Sequence, residues 1–167
     1  MPLTEKLISS FLAFELDIDI HSPIHSIRTD AIKKFERQGF PNRKLENWKY
    51  TSLNRIIKED YTVFSKKKNV IDFKKVQDYF LDNIETYKII FVDGFFDPFL
   101  SQTSHDGMDI CIMSAALTKT KYSKIINKFF NKSANPEDSL TSLNTAFSKE
   151  GVYIHIPKNT VLDKPVE

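Results

Sequence analysis

Residues 142–166 read S-L-N-T-A-F-S-K-E-G-V-Y-I-H-I-P-K-N-T-V-L-D-K-P-V, and the spacing of their apolar side chains changes half-way along. Up to Gly151 the pattern is helical: Asn135 and Pro136 are starting residues, Asp138 falls in the first turn, and Leu140, Leu143 and Phe147 share an inner face. Beyond Gly151 the period is two, with Val152, Ile154 and Ile156 alternating with Tyr153 and His155. Pro157 to Thr160 then turns the chain, and a second strand begins at Lys164. A strand pair left without neighbours exposes unpaired edges, so further β-structure is expected after Glu167 and the protein reads as truncated. The expected division is 1–150, an N-terminal helical α+β domain, and 151–167, the start of a separate β core.

Working back from that stretch, residues 114–131 read as one helix, with Leu117, Tyr122, Ile125, Ile126, Phe129 and Phe130 inward. Lys121, Lys124, Lys128 and Lys132 lie on its wet side. Nucleic-acid binding would want Arg, or aromatics exposed among the basics, whereas these aromatics sit on the apolar face. Asp109 to Met113 has the alternation of a short strand. Before it, K-I-I-F-V-D-G-F-F-D-P-F-L-S at 88–101 predicts a strand, an Asp93-Gly94 reversal and a second aromatic stretch, hence a hairpin. Pro98 should end that stretch or lie at an edge, because it cannot donate to a ladder.

The first quarter is helical. Leu3, Leu7, Ile8, Phe11, Leu12 and Phe14 form an amphipathic helix to about Leu16, and Ser22 and Pro23 lead into Ile24, Ile27, Ala31 and Phe35. Gly39 and Pro41 end this second helix, and the two read as an antiparallel hairpin. Next comes P-N-R-K-L-E-N-W-K-Y-T-S-L at 41–53, which holds the only Trp. A short helix from Arg43 would turn Leu45, Trp48 and Leu53 inward and leave Arg43, Lys44, Glu46 and Lys49 on the rim. Tyr50 would offer its ring to the core and its hydroxyl to a polar partner, and Thr51 would cap the turn from Ser52 to Ile57. The segment reads as a buried Trp anchor, with a partner-contact surface as the alternative. Polar residues 59–69, including Lys66 to Lys68, form a solvated loop, and Asp72 starts a short helix with Phe73, Val76, Phe80 and Leu81 on one face.

Hydrophobic content of 41%, with fourteen Phe, demands a folded core, so the class is α+β and mainly helical with a small hairpin or sheet. A net charge of +2 lacks the bias of a general nucleic-acid binder. The single cysteine, Cys111, excludes an internal disulfide framework and fits a reducing compartment, and no stretch approaches the roughly 18 apolar residues that span a bilayer. With no signal-peptide pattern at the start, the cytoplasm is expected.

Catalytic constellations are scarce. Four scattered glycines make neither a dinucleotide fingerprint nor a phosphate loop, so the chain should not hydrolyse ATP. His21 and His25 have metal-ligand spacing, but Pro23 puts His21 outside the helix; Asp93 and Asp97 are turn formers before they are an acid–base pair. Cys111 reads as a packed thiol between Ile110 and Ile112. A small enzyme with a site around His105, Asp106 and Cys111 would require these to converge in a pocket.

Three stretches, K-L-E-N-W-K-Y-T-S-L at 44–53, I-I-F-V-D-G-F-F-D-P-F-L-S at 89–101 and the 142–166 segment, resemble successive signatures of the SufB/SufD family, in its SufD branch. The resemblance implies a non-catalytic scaffold of the SUF iron–sulfur cluster assembly machinery, in which a helical N-terminal domain leads into a right-handed parallel β-helix. It also implies partnership, in the full-length protein, with a SufB-like paralogue and a SufC-like ATPase. The iron–sulfur cluster, and any flavin, would belong to the assembled complex, with cluster-related residues beyond Glu167. Lys44, Leu45, Glu46, Trp48, Lys49, Tyr50, Thr51, Asp93 and Gly94 are then motif residues with structural or interaction roles. Phe95-Phe96 departs from the pattern, where a more polar residue is expected.

Overall fold

The computed structural model describes residues 1–22, 24–63, 71–102, 105–132, 138–149 and 151–167. The expected helix start at Pro23, the Lys66–Lys68 run and the Asn135-Pro136 start lie outside these residues. The chain divides into two compact units, Met1–Phe64 with Ser123–Lys149 and Ser65–Tyr122 with Glu150–Glu167.

In the first unit, α1 (Leu3–Glu15) occupies its expected span, while α2 (His25–Gln38) begins later than the Ser22 cap implies, with Ile24 at its N-cap position and Ser22 accepting the His25 amide only on its backbone carbonyl, at 2.8 Å. Helix α2 ends where Gly39, at φ 64°, donates its amide to the Phe35 carbonyl at 2.7 Å, a conformation that costs a glycine little. Two phenylalanines, Phe35 on α2 and Phe147, carry the packing. Phe35 is fully buried among Phe11, Phe14, Ala31, Ile32 and Ala146. Phe147 meets Phe11 and Phe14 edge-on, with centroids 5.7 and 5.4 Å apart.

The main partner of α2 is α7 (Ser139–Ala146), rather than α1 as the hairpin reading expects. Asp138 caps α7 through its carboxylate, accepting from the amides of Leu140 and Thr141 at 3.4 and 3.0 Å. The buried stripe of α7 is Ser139, Ser142, Thr145 and Ala146, while Leu140 and Leu143 are half-buried. Small side chains allow two helices to lie close, and Thr145 satisfies its hydroxyl on the Thr141 carbonyl at 2.9 Å, so a weakly apolar face can be buried. Helix α7 ends at Ala146, short of Gly151.

Arg28 on α2 is also buried, 5% exposed, and sends both Nε and Nη2 to the Ser148 carbonyl, at 3.0 and 2.8 Å. This places a cation just past the C-terminal end of α7, where the helix dipole favours one. Burial pushes the guanidinium pKa down, and Asp19 opposes it.

In the second unit, β1 (Phe91–Val92) and β2 (Phe95–Phe96) form the predicted hairpin, registering Phe91 with Phe96 and Val92 with Phe95. Asp93 and Gly94 both have positive φ, 51° and 82°, the two-residue turn whose twist suits a hairpin. Strand β2 stops before Pro98. β3 (Asp109–Ile112) pairs antiparallel with β4 (Val152–His155), so the strand after Gly151 has a neighbour already in place. Residues 165–167 run parallel to 87–89: Tyr87 and Ile89 donate to the carbonyls of Pro165 and Glu167, and Glu167 donates back to Tyr87. The expected unpaired edges are therefore partly covered, by segments distant in sequence.

The expected 114–131 helix is two helices, α5 (Met113–Thr118) and α6 (Thr120–Phe129), separated by Lys119 at ψ 117°. Thr118 bonds back to the Ala115 carbonyl at 2.8 Å, a contact that competes with helix continuation. Tyr122 and Ile126 are buried as predicted, but Phe129 is 60% exposed. Elsewhere α3 (Asn54–Ile57) and α4 (Phe73–Val76) are single turns, and Phe73 and Leu81 face solvent rather than a core. Among the described residues the class is α+β, mainly helical with two small two-stranded sheets.

Replacing Arg28 by Ala should cost about 2–3 kcal/mol in chemical denaturation, because a charged hydrogen bond is lost and a carbonyl is left without its donors. Arg28→Lys should recover less than half of that, since an ammonium cannot present the same pair of donors.

Candidate functional site

The Trp48 segment is built from tight turns instead of the expected helix. Asn42 accepts the Lys44 amide on its side chain at 2.9 Å and the Leu45 amide on its carbonyl at 3.0 Å, and a 3-10 turn follows over Glu46–Trp48. Thr51 donates its amide to the Trp48 carbonyl, and the next turn is capped by Ser52 Oγ, which accepts from Asn54 at 3.4 Å, rather than by Thr51. Arg43 clips the turn by donating from Nε to the Lys49 carbonyl at 3.1 Å.

These turns point the segment outward. Trp48 is half-buried, not a core anchor; Leu45 is 50% and Tyr50 87% exposed, with Lys49 Nζ 5.6 Å from the Tyr50 ring centroid. Phe40, rather than Trp48, packs against the core beside α2, its ring meeting Phe35 edge-on at 5.2 Å. Lys44, Glu46, Lys49 and Thr51 are exposed, and Lys49 lies 4.0 Å from Glu46, a solvent-screened pair. Trp48, Leu45, Phe40 and Pro41 line an open groove of 680 Å³, together with Glu46 and Asp138. The Asp138 carboxylate is occupied in capping α7, so among the described residues the groove offers an apolar wall and no paired acid and base. Such a surface can hold another protein's side chain.

Asp93 and Gly94 belong to the second unit and form its hairpin turn. Asp97 is buried and accepts the amides of Phe99 and Leu100 at 2.9 and 3.2 Å, a turn-forming role. His25 reaches Glu15 at 3.3 Å, while His21 lies outside α2 and donates its amide to Asp19, so they do not act together. Among the described residues no group of three or more His, Cys, Asp or Glu could hold a metal ion.

His105 is engaged by Tyr87 and Asp163. Its Nε2 contacts the Tyr87 hydroxyl and lies 3.6 Å from Asp163, to which Tyr87 donates at 2.5 Å. Cys111 is half-buried; burial pushes its thiol pKa up, with Lys119 opposing, the reverse of an activated nucleophile. The Tyr87, His105 and Asp163 cluster was not visible as a unit in the sequence. With Glu167, which accepts from Thr86 at 2.6 Å and from the Leu81 amide at 2.7 Å, and Lys164, which pairs with Glu85, it fastens residues 163–167 along 85–89. Tyr122, Lys121 and His155 gather similarly around Asp109, pulling its pKa down.

A profile of the SufBD protein N-terminal region matches residues 1–167, the whole chain. The chain belongs to the SufBD family. It is 23% identical over 173 residues to an iron–sulfur cluster assembly SufBD family protein of Synechocystis sp., covering 98% of this chain. It spans 38% of that relative's length. None of the described helices is long and apolar enough to cross a membrane.

Two outcomes test this geometry. Trp48→Ala should cost less than about 2 kcal/mol, because a half-exposed ring gives up only part of its burial energy, whereas Phe35→Ala should cost about 3–5 kcal/mol in the same melt. The hydrogen bond to Asp163 raises Tyr87 to about 12 from 10.0 and lowers Asp163 below its ordinary 3.8. The raised tyrosine contributes stability below pH 10 that disappears as pH climbs to about 12, and the lowered carboxylate contributes stability that disappears as pH falls below about 3.8. Thermal midpoints of the native protein and Tyr87→Phe should thus differ across neutral pH and converge at both extremes.

Proposed function

We propose that this chain is the N-terminal region of a SufD-type, non-catalytic scaffold subunit of the SUF iron–sulfur cluster assembly complex, working through protein–protein contacts in the cytoplasm. The observation that carries the reading is the family match along the entire chain. It is joined by the likeness to the Synechocystis sp. iron–sulfur cluster assembly SufBD family protein. Residues 1–150 form the N-terminal domain, and 151–167 begin a right-handed parallel β-helix; the parallel pairing of 165–167 with 87–89 supports a chain turning towards parallel β-structure there. In the full-length protein the partners are a SufB-like paralogue and a SufC-like ATPase, with no role for nucleic acid or membrane. The cluster and any flavin are held in the assembled complex, outside this region.

The exposed Lys44–Thr51 motif fits a contact role better than a catalytic one, and Asp93-Gly94 fits a structural role in the hairpin. A SufB-type paralogue of the same complex is the nearest alternative. A small enzyme at His105 and Cys111 has less support, since His105 is committed to Tyr87 and Asp163. Affinity purification of the tagged full-length protein from its own cells tests the proposal: the ATPase and a SufB-type subunit should co-purify in stoichiometric amounts. Recovery of the protein without either would contradict it, and recovery with a SufD-type subunit in place of a SufB-type one would transfer the assignment to the paralogue.

A further inference from the structure

Helix α1 is apolar on two sides. Leu3, Phe11 and Phe14 are buried, but Ile8, Leu12 and Leu16 form a second stripe at four-residue spacing, with Leu12 69% and Leu16 87% exposed. Ile8 and Leu12 stand over a groove of 440 Å³ between α1 and α2, floored by the buried Phe11 and Ile32. Its charged rim is one-sided: Glu5, Glu15 and Glu36 against Lys33 alone. This acidity runs against the chain's net charge of +2. Glu15 is held by His25 at 3.3 Å, whereas Glu5 and Glu36 are exposed.

We propose that this groove docks an amphipathic helix of a partner protein whose apolar side chains enter between α1 and α2 and whose lysines or arginines meet Glu5 and Glu36. Apolar anchors at helical spacing supply the affinity, and the acidic rim selects a basic partner and speeds its approach. A lipid surface is the wrong occupant, since interfacial helices carry Lys and Arg beside the apolar face, and here that position holds carboxylates. The stripe uses none of the Trp48 groove residues, so the site is additional to the contact role of that motif.

Fluorescence anisotropy with the full-length protein and two labelled helical peptides tests the inference, one with Leu at four-residue spacing flanked by Lys, the other identical but with Glu for Lys. The Leu/Lys peptide should bind and the Leu/Glu peptide should not. Leu12→Glu, at an exposed position, should weaken binding about tenfold or more, and Glu5→Lys with Glu36→Lys should reverse the peptide preference, with thermal melts unchanged. Equal binding of both peptides, or binding indifferent to these substitutions, would overturn the proposal. So would sedimentation showing a self-associated protein that Leu12→Glu dissociates, which would make the occupant a second copy, or Leu12-dependent co-sedimentation with anionic vesicles.

Discussion

The burial of Phe35 on α2 is the constraint on which the first unit depends. Its ring is enclosed by side chains from α1, α2 and α7, so two neighbouring helices and a third distant in sequence are referred to one point. Fixing such a point repays the ordering entropy of short helices that would be marginal alone. Arg28, two turns earlier on the same buried face of α2, then sets α7 along α2 by a polar bond that has a single geometry, where apolar packing by itself tolerates sliding. With the interior filled in this way, the Trp48 turn is left at the surface.

The second unit is organised differently, by pairing across sequence distance. Its two small sheets and the parallel contact of 165–167 with 87–89 have little apolar area to bury, and side-chain bonds do much of the fixing. Tyr87, Thr86 and Glu85 hold Asp163, Glu167 and Lys164 in turn, so alternate charges and hydroxyls set the register that a two-stranded contact cannot set for itself.

Much of this was legible in the residues. The Asp93-Gly94 turn, the Gly39 stop and most of the β3 span follow from local chemistry, in which a residue's own conformational preference decides the outcome, whereas Asp138, read as a first-turn residue, is the cap of α7. What was not legible was tertiary choice. The apolar spacing of α7 pointed to Leu140 and Leu143, but the buried face is the small one, because closeness to α2 mattered more than hydrophobicity. A lone Trp reads as a core residue by composition, and nothing local announces that Phe40 packs against Phe35 while Trp48 stays half-exposed. Likewise, no periodicity marks Tyr87, His105 and Asp163 as neighbours.

If the chain works by contact, as proposed, its exposed apolar and charged motifs are what a partner covers, while the packed interior beneath them stays unchanged. Comparing amide hydrogen exchange of the full-length protein alone and within its purified complex tests that claim directly. The account predicts new protection within 1–150 at exposed segments, the 44–51 turn and the outer face of α1 foremost, while amides of α2 around Phe35 stay slow in both states. Identical exchange across 1–150 in the two states would contradict it.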